Sequence, residues 1–199
     1  ILVIDGAGTT AGGTMSITVD NSFSIGQLKI TSNTTVSLNG LTSTRTLTIG
    51  GSPGDDLVVE AGSTLNLTNA SAAVAIVFTG TGNTGSIAGT VTLGGATANT
   101  ITTTGGTSTL VTVTSTGVVN TTVAGTTTML VGSAATLSFA SGSTFNVNGG
   151  STTAIPGIPL ATWDANSTLN VNVTALTTGT TIPTNANQSF GNFVYNCPN

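Results

Sequence analysis

Residues 28 to 40, LKITSNTTVSLNG, align without a gap on residues 57 to 69, LVVEAGSTLNLTN. Apolar positions coincide at Leu28/Leu57, Ile30/Val59, Val36/Leu65 and Leu38/Leu67, and a small polar turn falls at the same place in both. The half-motif Thr–apolar–polar–apolar then returns around Val91, Leu137, Phe145 and Leu169. The steps from Val36 to Leu65 to Val91 are 29 and 26 residues, and later steps are irregular. Imperfect repetition at roughly 20–30 residues, with two or three very short strands per unit, is the mark of a solenoid.

The strands are read from alternation. Thr14 to Val19, Thr44 to Ile49 and Thr90 to Leu93 alternate polar and apolar residues, and so do the four-residue runs starting at Thr64, Thr136, Thr144 and Thr168. Each is a half-buried strand of period two, closed by Gly, Asn or Ser. Ala70 to Phe78 (ASAAVAIVF) is apolar nearly throughout and reads as a fully buried strand. Composition agrees with the β reading. The 199 residues include 45 Thr, 27 Gly, 19 Ser and 18 Asn, against only eight charged side chains. Such a chain, almost free of Lys, Glu and Gln, forms helices poorly and strands well. It is also too apolar for disorder, with 38% hydrophobic residues, a mean hydropathy of +0.39 and a net charge of only −4.

Strands of four or five residues joined by small corners close a large sandwich core with difficulty. Wound as a coil, each turn stacks on the last at about 4.8 Å and builds parallel sheets along the axis. Inward residues form apolar ladders and outward Thr, Ser and Asn form polar ones. Charge scarcity fits, because like charges stacked on every turn would repel. The expected fold is therefore an all-β parallel β-helix of about six to eight turns at roughly 25 residues each. A β-sandwich is the alternative. The whole of 1–199 reads as a single solenoid segment, with 151–199 as a more irregular capping or junction region. Trp163, Phe190, Phe193 and Tyr195 collect half of the eight aromatics there, beside Pro156, Pro159, Pro183 and Pro198.

The same counts exclude whole classes of function. Two basic residues cannot displace counterions at the six or so phosphates of a typical nucleic-acid complex. With no His and one Cys, neither zinc, haem and iron–sulfur ligation nor a Ser-His-Asp or Cys-His arrangement is available. No cofactor is expected, and no enzymatic activity. No run of about 18 apolar residues occurs, so no transmembrane helix is expected. The chain opens Ile1-Leu2-Val3-Ile4-Asp5, without Met or a basic region before an apolar stretch. A signal peptide is thus absent, removed or outside this segment. Cys197 reads as a small half-buried residue.

Seven of the eight charges precede residue 61, so a specific polar site, if present, belongs to that end. Asp55, Asp56 and Glu60 form the one acidic cluster. With Ser52 they are weak candidates for Ca²⁺, which takes six to eight oxygens. The surrounding Gly50-Gly51-Ser52-Pro53-Gly54-Asp55 reads first as a solvated turn. Lys29 and Arg45, the only bases, are placed on an outer face, where charge blunts aggregation. Thr44/Thr46/Thr48, Thr100/Thr102/Thr104 and Thr112/Thr114/Thr116 are candidate ice-binding arrays, although their spacings of 56 and 12 residues are not equal multiples of one turn. Seven Asn-x-Ser/Thr sequons start at Asn33, Asn66, Asn69, Asn120, Asn166, Asn172 and Asn187, close to chance for this composition.

The runs EAGSTLNLTN (60–69), ASGSTFNVNGG (140–150), ATWDANSTLNVNV (161–173) and QSFGNFVYNCPN (188–199) resemble the repetitive secreted or cell-surface β-helix proteins, adhesin-like, of environmental Gram-negative bacteria. The resemblance is one of short motifs across most of the chain. It implies an extracellular or cell-surface location and identifies no ligand. The expected role is structural or adhesive, with further copies of the chain or extracellular polysaccharide as the expected partners. It also implies that FGN–aromatic–x–aromatic–N restarts a new stretch of helix, so that Asn199 would not be a natural terminus. Two other roles stay open: a filament subunit that donates the apolar start ILVI (1–4) by strand exchange, and an ice- or carbohydrate-binding β-helix.

Overall fold

The computed structural model describes residues 1–6, 13–51, 53–96, 98–177 and 182–197. Among them there is no helix; the chain winds as a parallel β-solenoid of about seven turns. The first five turns each visit three faces in the same order. Face A holds β1 (Leu2–Asp5), β4 (Leu28–Thr31), β7 (Leu57–Val59), β10 (Thr84–Ile87), β13 (Leu110–Val113), β16 (Leu137–Phe139) and β18 (Thr162–Trp163). Face B holds β2 (Thr14–Val19), β5 (Thr35–Gly40), β8 (Thr64–Leu67), β11 (Thr90–Leu93), β14 (Val118–Thr121), β17 (Thr144–Val147), β19 (Thr168–Val171) and β20 (Asn192–Tyr195). Face C holds β3 (Phe23–Ile25), β6 (Arg45–Ile49), β9 (Val74–Phe78), β12 (Thr100–Thr102) and β15 (Leu130–Val131), and no strand beyond β15 among the described residues.

The gapless alignment is the register itself: Leu28 pairs with Leu57, Ile30 with Val59 and Val36 with Leu65. Apolar residues at every second position therefore stack on one another inside the coil. Face A contributes Ile4, Ile30, Val59, Ile87, Val113 and Phe139 in one column. Face B contributes Val36, Leu65, Val91, Val119, Phe145 and Leu169. All of these are buried, and each Val, Leu, Ile or Phe adds about 1.5–3 kcal/mol of hydrophobic stabilisation. The stretch at Ala70 to Phe78 corrects the sequence reading. Only Val74–Phe78 is a strand, and it is half-buried rather than fully buried, with Ala75 and Val77 facing outward. A short apolar run cannot itself reveal whether a second layer covers it; here none does.

The corner from face A to face B explains the small-residue turns. The Thr31, Glu60, Ala140 and Asp164 carbonyls accept hydrogen bonds from the amides of Thr34, Ser63, Ser143 and Ser167, three residues on, at 2.9–3.2 Å. In three of these corners the Ser or Thr hydroxyl donates to the same carbonyl: Thr34 and Ser143 at 2.6 Å, Ser167 at 2.7 Å. This satisfies a polar side chain that is fully buried. Three of the corners use positive φ, supplied by Gly62 (80°) and Gly142 (85°) and, less cheaply, by Ser32 and Asn33 (both 56°), whereas the Asp164–Ser167 corner closes without it. Where the corner tightens, the Ser or Thr gives way to Gly117, whose Cβ would lie 2.1 Å from the Ile87 carbonyl oxygen of the preceding turn.

A buried amide side chain holds the corner between faces B and C. Asn99 accepts from the Val74 amide at 2.8 Å and donates to the Asn69 and Gly94 carbonyls at 2.7 and 2.8 Å, which joins two turns. Substituting Gly117→Val therefore forces a side chain against backbone and is expected to cost on the order of 3 kcal/mol, lowering the melting temperature by about 6–12 °C. Gly82→Asn, at φ 70° with open space around it, is expected to change it little, because Asn tolerates the left-handed region. Thermal unfolding of the two variants beside the parent checks both.

Candidate functional site

Outward residues of face B form two columns. The first runs Thr14, Thr35, Thr64, Thr90, Val118, Thr144, Thr168 and Asn192, the second Ser16, Ser37, Asn66, Thr92, Asn120, Asn146, Asn170 and Val194. Alternation places both columns outside because their neighbours are the core ladder. From β14 onward the second column is a bonded asparagine ladder. Asn146 donates its amide to Asn120 Oδ1 at 2.9 Å, and Asn170 donates to Asn146 Oδ1 at 2.8 Å. Beside it, Asn172 donates to Asn148 Oδ1 at 3.4 Å. Earlier turns make weaker versions, Asn39 to Ser16 Oγ at 3.0 Å and Asn66 to Ser37 Oγ at 3.5 Å. Every one of these amides donates toward the start of the chain, and Val194 ends the ladder.

The sequence alone put the threonine arrays elsewhere. Thr46 and Thr48 do share face C with Thr100 and Thr102, two turns away, but Ala75 and Val77 lie between them. Thr44 and Thr104 lie outside the strands. Thr112 belongs to face A, where its hydroxyl accepts from Ser138 at 3.1 Å, while Thr114 and Thr116 sit in the corner that follows. The signal for the face-B columns was present in the Thr-x-Asn and Thr-x-Thr starts of the strands at 64, 90, 144 and 168. It could be assembled only with the length of each turn in hand.

The acidic residues divide. Glu60 is exposed, its carboxylate accepting from the Ser32 amide at 3.1 Å. Asp55 is half-buried, and Asp56 is 1% exposed. One Asp56 oxygen, Oδ2, accepts from the Thr84 amide at 3.1 Å, while Oδ1 is buried without a hydrogen-bond partner. Ser52 lies outside the described residues. Among the described residues, no group of three or more His, Cys, Asp or Glu side chains comes together as a metal site. Lys29 occupies an outward, half-buried position on face A. Arg45, expected on an outer face, instead shares the inward parity of Leu47 and Ile49 at the start of β6, pairs with buried Val74, and has its Nε buried without a hydrogen-bond partner. The sequon residues Asn33, Asn166 and Asn187 are exposed, whereas Asn66, Asn120 and Asn172 are half-buried and engaged in the face-B hydrogen bonds.

The aromatic residues make a continuous stack across the last turns. Phe139 lies flat on Trp163 at 4.1 Å, Trp163 meets Phe190 edge-on at 5.2 Å, and Phe190, Phe193 and Tyr195 follow. Gln188 fixes the indole: its Oε1 accepts from Trp163 Nε1 at 3.3 Å and from the Ala161 amide at 3.0 Å, and its Nε2 donates to the Pro159 and Asn185 carbonyls. A cavity of about 460 Å³ opens beside Leu160, Trp163 and Gln188, and its lining is mostly apolar. Phe193 and Tyr195 remain 50% and 48% exposed. The Tyr195 phenol is raised above its ordinary range, first by a hydrogen bond with Cys197, then by desolvation and by charge on that thiol. The Cys197 thiol, half-buried, also lies 3.7 Å from the Val171 carbonyl oxygen. Pro198 and Asn199 lie outside the described residues.

Comparison with family models, with curated proteins and with solved structures returns no match. No helix of the described residues is long and apolar enough to cross a membrane.

Two substitutions test this description. Asn146→Asp puts a carboxylate oxygen against Asn120 Oδ1 and is expected to cost about 1–2 kcal/mol at neutral pH. The folded state then favours the protonated acid, so the deficit against the parent shrinks as pH falls from neutral towards the ordinary aspartate value of about 4, and changes no further below it. Asp56→Asn removes a buried charge of which one oxygen has no partner, and is expected to raise the melting temperature by about 2–4 °C. A calcium-dependent rise in the parent, lost in Asp56→Asn, would instead identify a cation site.

Proposed function

We propose that this chain is a non-enzymatic structural and adhesive segment of an extracellular or cell-surface β-helix protein. One observation carries the reading: parallel backbone ladders run along faces A and B, with outward Asn and Ser of face B bonded from turn to turn. Such a coil is a rod whose length grows by about 4.8 Å per turn. Each turn is held by its neighbours rather than by one central core. Stiffness and resistance to proteolysis follow, since cleavage requires local opening and every internal rung is hydrogen-bonded on both sides. The apolar start assigned to strand exchange is engaged within its own chain, where Leu2–Asp5 pairs with Leu28–Thr31.

Three measurements bear on this reading. Antibodies against the segment should label intact producing cells, and protease treatment of those cells should release it. Deletion of the segment should reduce attachment to surfaces. Labelling that appears only after permeabilisation would overturn the location, and unchanged attachment would overturn the adhesive part.

A further inference from the structure

We propose that face B is a docking surface for face B of a second copy of this chain, so that two rods lie side by side. Formal charge separates face A from face B. Face A carries Asp5 and Lys29 outward, whereas no outward residue in the eight strands of face B is charged; face C is the smaller sheet, and Ala75 and Val77 break its outward threonines. When identical surfaces meet, like charges opposite one another are the first obstacle. Face B presents none, and it lacks the lysines and prolines with which exposed sheets usually discourage such contact.

Its chemistry is also self-complementary. Hydroxyls and carboxamides each donate and accept, so Thr90 or Thr144 of one copy can satisfy Asn120 or Asn146 of another in either direction along the rod. Asparagine ladders on stacked strands are also the surfaces that interdigitate when two sheets pack face to face. The size is sufficient for a weak interface. Eight strands at about 4.8 Å give a face about 34 Å tall, and strands of four to six residues make it about 13–20 Å wide. Pairing would cover about 450–700 Å² on each copy, at or just below the lower end of specific interfaces. The pairing therefore belongs to the micromolar range or weaker, and longer rods of the same kind would strengthen it through added area. It stands on the chemistry of the face and does not depend on the cellular location proposed above.

Sedimentation equilibrium from about 1 µM to 1 mM tests it. The parent chain is expected to pass from monomer to dimer. Thr90→Lys with Thr144→Lys, both in the first column of face B, should weaken association by about tenfold or more. Thr90→Glu with Thr144→Glu should do the same. An equimolar mixture of the lysine and glutamate variants should associate again, which also shows that both are folded. Ser86→Lys with Thr100→Lys, on faces A and C, should leave the dimer unchanged. A parent that stays monomeric throughout would overturn the proposal. So would equal weakening by the control pair, failure of the mixture to associate, or a monomeric parent whose face B instead binds neutral polysaccharide or ice.

Discussion

In each sheet a strand lies about 4.8 Å from its counterpart one turn away, in parallel and in register. Most of what distinguishes this chain follows from that stacking. The backbone hydrogen bonds of one turn are completed by the next, so strands of two to six residues suffice where an isolated strand of that length would not persist. Side chains meet their like: valine on leucine inside, asparagine on asparagine outside. The corner that turns face A into face B obeys the same condition, because its Ser, Thr or Gly is pressed against the corner of the preceding turn. Gly117 is present because the Ile87 carbonyl leaves no room for a Cβ.

Stacking also gives the shortage of charge a physical cause. A lysine or carboxylate repeated on successive turns would repel its own copies, whereas a hydroxyl or carboxamide bonds to them. The charges that remain are isolated within their columns or lie at corners, and one corner charge, Asp56, is drawn inside with an oxygen unpartnered. The result is a rod with one uncharged face of bonded small polar groups. That face is suited to contact over length rather than to chemistry at a point, which is why the functional reading is structural and adhesive.

Much of the fold was legible in the sequence. The gapless match of 28–40 to 57–69 contained the register, and the period-two runs marked the core residues. The site was less legible. The threonines at 44–48 and 100–104 looked like an array and are interrupted by Ala75 and Val77, while the more continuous columns of face B went unassembled. The carboxylates at 55, 56 and 60 looked like a cluster, yet Glu60 turns to the Ser32 amide on the far side of β7. The strand itself separates them, with Asp55 and Asp56 in the corner before β7 and Glu60 in the corner after it.

The division between the two sources of information has one cause. Alternation is local, so the sequence by itself determined which residues are strand, which face the core, and that the turns repeat. Which outward residue lies on which is not local, because it depends on the length of every intervening corner. Those lengths vary: Ile30 pairs 29 residues on with Val59, and Phe139 pairs 24 residues on with Trp163. Only the tertiary structure absorbs these differences in the corners and brings Thr35, Thr64 and Thr90, and then Asn120, Asn146 and Asn170, into line.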